Sequence, residues 1–149
     1  MGSLTLPDSG EVYVDANTVI YSVDGNPIYR PLCIPIWQGA QMGVFTVVSS
    51  ELILVETLVS PLRSGDAILF ERRKSLWDRE NVSLLPIARD ILFEAARLRA
   101  AIPALKTPDA IHAATAIIHS CALFVSNDAG FRRIPNLPLV LLDDVLAST

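Results

Sequence analysis

Short segments rich in Val, Leu and Ile alternate along the chain with longer segments in which apolar residues recur every three or four positions. The first pattern predicts buried strands and the second predicts amphipathic helices. The predicted strands are 11–15, 44–48, 82–85, 122–126 and 139–142. Because strands and helices alternate without a repeat or a long linker, we expect an α/β fold in which helices cover both faces of a parallel sheet.

Proline, glycine and hydroxyl residues set the expected ends of the helices. The predicted helices are 16–24, Pro35 to Gln41, about 51 to Val59 with Ser49 or Ser50 as its cap, 66–80, 87–101, Thr107 to about Ser120, and a short helix at the C-terminus. Ser60-Pro61 is expected to interrupt the third of these helices. Thr107 is expected to cap the sixth, with Pro108 at its first position.

The length of 149 residues suits one domain, which we assign to residues 11–149, with a flexible tail at 1–10. Hydrophobic residues make up 51% of the chain and charged residues 19%, a composition typical of globular proteins. No apolar run is long enough to span a membrane, and no basic-then-apolar leader is present. Cys33 and Cys121 have no metal-site spacing, so we expect reduced thiols and a cytoplasmic protein.

The formal net charge of −4 is unfavourable for a protein held to nucleic acid by overall charge. The basic residues, however, are not evenly spread, since Arg72, Arg73, Lys74 and Arg79 lie close together. This group, in which Arg72, Arg73 and Lys74 are the candidate substrate-binding residues, either contacts the phosphates of a bound nucleic acid or forms the solvated face of a helix. Both interpretations remain open at the level of sequence.

Four acidic residues occupy the least polar parts of the chain. Asp15 follows the first predicted strand, Asp128 follows strand 122–126, Asp109 lies in the first turn of an Ala-rich helix, and Glu56 lies among apolar residues. Each has a purely structural explanation, because Asp15 and Asp128 can cap turns and Asp109 can favour a helix dipole. Glu56 is harder to explain in this way, since a buried carboxylate is costly unless it is paired or coordinated.

A divalent cation would resolve the repulsion among carboxylates that a parallel sheet gathers at one edge. A site made of oxygen ligands with few histidines suits Mg²⁺ or Mn²⁺. Such a site can hold a phosphodiester, activate a water and stabilise the leaving oxygen. With two such ions bound, the chain would be formally neutral, so that a polyanion would no longer be repelled overall.

Four segments in order carry a resemblance to a known family: VYVDANTVIY, SSELILVETLV, KTPDAIHAATAIIHS and LFVSNDAGF. Over about residues 11–143 the chain resembles PIN-domain proteins, and in particular VapC-like toxins of toxin–antitoxin pairs. The resemblance implies a three-layer α/β/α fold around a central parallel sheet of four to five strands. It also implies an Mg²⁺- or Mn²⁺-dependent ribonuclease that acts on RNA, forms a homodimer and is inhibited by a cognate antitoxin.

The resemblance also assigns roles to residues by their position in the motifs. The expected catalytic and metal-binding residues are Asp15, Glu56, Asp109 and Asp128. The expected supporting residues are Asn17, Thr18, Ser126 and Asn127. His112 lies three residues after Asp109, hence on the same helix face, and we interpret it as structural. The acidic balance and the ten-residue N-terminal extension depart from what the family leads us to expect.

One alternative is a phosphatase of the haloacid-dehalogenase type, in which an Asp at a strand end is the nucleophile. That family requires a second Asp two residues later, where this chain has Asn17. It also requires a Lys ahead of a late acidic pair, and residues 123–131 lack both features.

A second alternative is a catalytically silent PIN-like module that binds a protein partner. Trp37, Leu58 and Leu62 are predicted near the surface of helices, where apolar residues favour an interface. The four intact acids favour catalysis over this alternative.

Overall fold

The computed structural model describes residues 2–148. Its strands are β1 (Glu11–Val14), β2 (Thr46–Ser50), β3 (Val82–Leu85), β4 (Leu123–Ser126) and β5 (Leu139–Leu141). Its α-helices are α1 (Ala16–Asp24), α2 (Arg30–Gln41), α3 (Leu52–Ser64), α4 (Ala67–Ser75), α5 (Arg89–Ala101), α6 (Thr107–Ile118) and α7 (Leu142–Ala147). None of the helices in this range is long and apolar enough to cross a membrane.

The five strands form one sheet in the order β3-β2-β1-β4-β5, and every neighbouring pair is parallel. Successive side chains of β1 point to opposite faces of the sheet. Val12 and Val14 lie in one core with residues of α1, α2 and α7, whereas Tyr13 lies in a second core with residues of α5 and α6. The sheet therefore separates two helical layers, which confirms the predicted three-layer α/β/α fold with a parallel sheet.

Helix α3 does not stop at Ser60-Pro61 as the sequence predicted, but continues through Pro61 to Ser64. A proline inside a helix leaves the carbonyl four residues earlier without its N–H donor. That carbonyl belongs to Thr57, and the guanidinium of Arg73 donates to it at 2.8 Å. The Arg73 side chain thus replaces the missing backbone bond, which lets the helix run on to Gly65.

Arg73 is accordingly buried, with only 5% of the residue exposed. Its guanidinium also binds the carboxylate of Asp24 at 2.6 Å, so the side chain connects α4 to the end of α1 and to the middle of α3. Both the burial and the ion pair keep the charge of Arg73 away from solvent, which disfavours the predicted contact with RNA phosphates.

Other boundaries also differ from those predicted. Strand β2 is Thr46–Ser50 instead of 44–48, α5 begins at Arg89 instead of position 87, and the helix predicted at 66–80 ends at Ser75. Helix α2 starts at Arg30, before Pro35. Pro31 fits its first turn, because a backbone N–H at that position would have no acceptor within the helix. Helix α6 includes Thr107, whose hydroxyl accepts from Arg99 at 2.8 Å instead of capping the helix.

The N-terminal segment, which the sequence predicted as a flexible tail, contacts the domain through two leucines. Residues 2–10 contain no helix or strand, yet Leu4 is only 9% exposed and Leu6 packs against the same core. Both leucines join the cluster that contains Val12 and Val145, so this segment covers one side of the domain.

Candidate functional site

The carboxyl ends of the central strands bring two of the predicted acids to one edge of the sheet. β1 and β4 are neighbours at the centre, with Val14 opposite Val125. Asp15 immediately follows β1, and Asp128 lies two residues after the end of β4. In an open parallel sheet this edge is where ligands bind.

Asp15 is 6% exposed and is held at both carboxylate oxygens. Its Oδ1 accepts from the backbone N–H of Thr18 at 3.0 Å and from the Thr18 hydroxyl at 2.9 Å, so Asp15 caps α1. Its Oδ2 accepts from the hydroxyl of Ser126 at 2.5 Å. Capping and ligand binding are compatible here, because each carboxylate oxygen has more than one lone-pair position.

The same Ser126 hydroxyl connects the two strand ends. It accepts from the backbone N–H of Asp128 at 3.0 Å while donating to Asp15. The Asp128 side chain is exposed, and its Oδ1 accepts from the N–H of Gly130 at 2.8 Å. Ser126 thus fixes the positions of both acids relative to each other.

Asp109 lies in the first turn of α6 and is partly buried. Burial raises the pKa of Asp109, and the charges of Asp128 and Glu56 raise it further. Asp109 and Asp128 line an open pocket of about 250 Å³ together with Lys106 and Arg133. Asp109 therefore lies close enough to Asp128 and to Glu56 for their charges to repel it.

Glu56 reaches this region from α3 and is held by a histidine. Its Oε1 lies 2.5 Å from Nε2 of His112, and Nδ1 of His112 lies 2.5 Å from the phenol oxygen of Tyr13. His112 is 2% exposed, and the sequence signal for its proximity to the acids was its position one turn after Asp109. Sequence reasoning left His112 among the structural residues and assigned no role to Tyr13.

The four predicted supporting residues divide into two pairs. Thr18 and Ser126 are buried and donate to Asp15, and Thr18 also donates to the carbonyl of Val125 at 3.2 Å. Asn17 is exposed, and its side chain makes no hydrogen bond within residues 2–148. Asn127 accepts from the N–H of Asp143 and so anchors the start of α7 rather than the acids.

Of the three basic residues predicted to bind substrate, Arg72 and Lys74 are exposed and Arg73 is not. Arg72 lines a groove of about 750 Å³ whose wall includes Val82, the first residue of β3. The acids lie beyond the opposite, carboxyl ends of the strands. The basic residues that share a pocket with Asp109 and Asp128 are instead Lys106 and Arg133, which were not predicted from the sequence.

Residues 12–137 match the family model described as "PIN domain". The chain belongs to the PIN domain family. This match confirms the family predicted from the four motif segments. No curated protein matches the sequence closely enough to count as a relative.

Solved structures share the fold of this PIN domain at low sequence identity. VapBC2 from Rickettsia felis, bound to a DNA fragment from the promoter, has 18% identity and a TM-score of 0.72, with 88% of this chain and 98% of that chain covered. A toxin–antitoxin complex from Klebsiella pneumoniae has 19% identity and a TM-score of 0.65 over 88% and 97% of the two chains. VapBC-5 from Mycobacterium tuberculosis, a member of the VapBC family of toxin–antitoxin systems, has 19% identity and a TM-score of 0.57 over 91% and 98%.

The carboxylate oxygens of these acids are suitable ligands for a divalent cation, but they do not form a complete coordination site. No three acidic, histidine or cysteine side chains in residues 2–148 converge tightly enough to surround one ion. Burial raises the pKa of Asp15, and the hydrogen bonds from Ser126 and Thr18 only partly offset this effect. Asp15 is thus a buried carboxylate with a raised pKa, and the pKa of Asp109 is raised by its acidic neighbours, so the region supplies oxygen donors that lack positive charge.

The raised pKa of Asp15 gives a prediction for the metal-free protein. The folded state binds a proton more tightly than the unfolded state, whose Asp has a pKa of about 3.9, so stability should fall as pH rises above about 4. Asp15→Asn removes this penalty and keeps the helix cap. In EDTA at pH 7 we expect the variant to melt at a higher temperature than the wild type.

Below about pH 4 the two proteins should melt together, because Asp15 is then protonated in both states. The exposed Asp8 provides the matched control, since Asp8→Asn changes the same charge without burial. Thermal unfolding followed by circular dichroism measures the effect. A lower melting temperature for Asp15→Asn in EDTA at pH 7 would contradict the prediction.

Proposed function

We propose that the chain is an endoribonuclease that uses Mg²⁺ or Mn²⁺, and that it is the toxin of a toxin–antitoxin pair. The observation that supports the proposal is the link that Ser126 makes between Asp15 and Asp128 beyond the carboxyl ends of β1 and β4, together with the charges of Asp128 and Glu56, which raise the pKa of Asp109. Membership of the PIN domain family supports hydrolysis of phosphodiester bonds. The toxin–antitoxin assignment is supported by the fold shared with the Klebsiella pneumoniae complex.

In this proposal Asp15, Glu56, Asp109 and Asp128 hold the ion or ions. When bound, the ion supplies positive charge that favours ionisation of a water and offsets the charge that develops on the phosphate. Thr18 and Ser126 fix the orientation of Asp15 through their hydroxyl donors. Asp128, the most exposed of the four acids, faces the side from which substrate enters.

Lys106 and Arg133 are proposed to bind the phosphates on either side of the cleaved bond, because both line the pocket that contains Asp109 and Asp128. Arg72 and Lys74 remain predicted contacts for RNA that extends beyond this pocket. They lie on α4, and Arg72 borders the groove at the other end of the sheet, as does Arg79, which lies beyond the end of α4.

Replacing Arg133 should weaken RNA binding with little change in the chemical step. For Arg133→Ala we expect a raised KM, an almost unchanged kcat, and a salt dependence of binding whose slope falls by about 1. Arg132→Ala is the matched control, since Asp144 already binds the Arg132 guanidinium through both carboxylate oxygens. Equal effects of the two substitutions would mean that Arg133 acts only through the overall charge.

The experiment that tests the proposed function is cleavage of a mixed RNA pool by the purified chain, in Mg²⁺ or Mn²⁺ and in EDTA. We expect internal cuts that require the metal and cease when EDTA is added. Cleavage that resists EDTA would overturn the proposal. A folded protein that binds Mn²⁺ but cuts no RNA would favour the protein-binding module instead.

The antitoxin partner, the homodimer and the cytoplasmic location stay predictions. A row of exposed apolar residues on α3, formed by Val55, Val59 and Leu62, offers a surface that a second copy could cover. The phosphatase alternative is not supported, because the family match is to the PIN domain and Asn17 stands where that mechanism needs an acid.

A further inference from the structure

A chain of hydrogen bonds crosses the second core and ends at Glu56. The backbone N–H of Ser50 donates to the phenol oxygen of Tyr13 at 3.0 Å. The phenol lies 2.5 Å from Nδ1 of His112, and Nε2 of His112 lies 2.5 Å from Oε1 of Glu56. The side chains come from β1, α6 and α3, so the chain connects three separate elements.

The donors along this chain can be arranged in a consistent direction. The Ser50 N–H donates to the Tyr13 oxygen, and the phenol has one O–H of its own to donate. That proton needs an acceptor, and the nearest is Nδ1 of His112. A neutral His112 then carries its own proton on Nε2, where it donates to Glu56.

Glu56 needs such a donor to stay near the other acids. Its charge contributes to the raised pKa of Asp109, so the two carboxylates repel each other before any ion binds. Glu56 is partly exposed, and a glutamate has several rotatable bonds through which it could turn towards solvent. The buried His112 holds one carboxylate oxygen and leaves Oε2 without a hydrogen bond within residues 2–148.

We propose that His112, oriented by Tyr13, is a positioning residue that holds the Glu56 carboxylate in place for a divalent cation. The proposal rests on the proposed metal-dependent function, since it concerns one of the four acids assigned to the ion. It resembles the general arrangement in which residues behind a ligand orient it and raise its affinity for the metal. His112 itself binds neither metal nor substrate in this role.

Two amide substitutions separate positioning from mere filling of the core. In His112→Gln the side-chain amide nitrogen can take the place of Nε2 and still donate to Glu56. In His112→Asn the shorter amide can reach Tyr13 in place of Nδ1, but it cannot reach Glu56. Both variants replace a buried ring by a buried amide, so a purely structural role for His112 predicts similar effects for the two.

The measurement is Mn²⁺ binding to the full-length chain by titration calorimetry at pH 7, with circular dichroism as the check of folding. We expect His112→Asn to weaken Mn²⁺ binding about 10-fold or more, and His112→Gln to stay much closer to the wild type. Wild-type affinity in His112→Asn, or equal losses in both variants, would overturn the positioning role alone. A wild-type chain that binds no Mn²⁺ would overturn the proposed function as well.

Tyr13→Phe decides the question if His112→Asn does not fold. It removes the phenol that orients His112 and keeps the ring, which stacks on Phe124 with centroids 4.9 Å apart. We expect a several-fold loss of Mn²⁺ affinity, within the range typical of residues behind a metal ligand. An unchanged affinity would overturn the part assigned to Tyr13.

The proton on His112 can be observed without any metal. Long-range ¹H–¹⁵N spectra distinguish a protonated from an unprotonated ring nitrogen, and the spectrum of His112→Gln identifies which signals belong to His112 rather than His119. A proton on Nε2 is the expected result, because this nitrogen donates to Glu56. An unprotonated Nε2 would leave Glu56 without its donor and would overturn the proposal.

Discussion

Asp15→Asn is expected to abolish metal-dependent RNA cleavage, with a loss of at least about 1,000-fold. Asp15 is the most buried of the four acids and lies at the end of the central strand. Removing its charge weakens the hold on the ion, and the several kcal/mol of charge stabilisation that the ion supplies are lost with it. The loss should appear in kcat and also as weaker Mn²⁺ binding.

The fold should survive this substitution, which is what makes the result informative. The Asn oxygen can still accept from the Thr18 N–H and hydroxyl, and the Asn amide can donate to the Ser126 hydroxyl. Asn and Asp are also equally good residues at the start of a helix. The control is Asp8→Asn, which removes an exposed charge outside the site and should leave cleavage unchanged.

Cleavage is measured on the RNA pool in Mn²⁺, with the variant at the same concentration as the wild type. Retained cleavage by Asp15→Asn would contradict the assignment of Asp15 to the ion and would leave only the capping role that its hydrogen bonds already show. A variant that is inactive and yet melts above the wild type in EDTA would separate the catalytic loss from any loss of folding.

The elements that follow hydrophobic periodicity could be predicted from the sequence. Strands β1, β3 and β4 lie within a residue of their expected ends, because each is a short apolar run bounded by turn residues. The proximity of Asp15 to Asp128 follows from the same logic, since each follows a strand of one parallel sheet and the two strands are neighbours.

What the sequence could not show depends on contacts between distant elements. Pro61 alone predicts a break in α3. The break is avoided because Arg73, on the following helix α4, donates to the carbonyl of Thr57. His112 looked like an ordinary core residue because its partners Tyr13 and Glu56 lie 99 and 56 residues away. In both cases a buried polar group found its partner through tertiary packing, which local patterns do not contain.

The basic residues at the site, Lys106 and Arg133, also could not be predicted from the sequence. Lys106 and Arg133 stand among the many exposed basic residues, and only the folding of α6 next to the loop after β4 places them beside Asp109 and Asp128. A cluster in sequence, such as Arg72 to Lys74, is a weaker guide to a site than nearness to the carboxyl edge of the sheet.

Of the proposed substitutions, Phe124→Ala is expected to lower the free energy of unfolding most, by about 3–5 kcal/mol. Phe124 is fully buried on β4 and lies opposite Tyr13 in the parallel register. Its ring stacks on Tyr13 and contacts Phe131, with centroids 4.9 Å and 4.8 Å away. Removing it leaves a cavity between the sheet and α6 that these neighbours cannot fill without moving.

Thermal unfolding of the variant should show a melting temperature about 6–20 °C below that of the wild type, at roughly 2–4 °C per kcal/mol. Phe124→Leu is the control, since it keeps most of the apolar volume and should lose much less. A fall of only a few degrees in Phe124→Ala would mean that the second core collapses around the cavity. In that case the hydrogen bonds of Tyr13 with Ser50 and His112, rather than its packing against Phe124, would hold its ring in place. The affinity of the folded variant for Mn²⁺ should then equal that of the wild type.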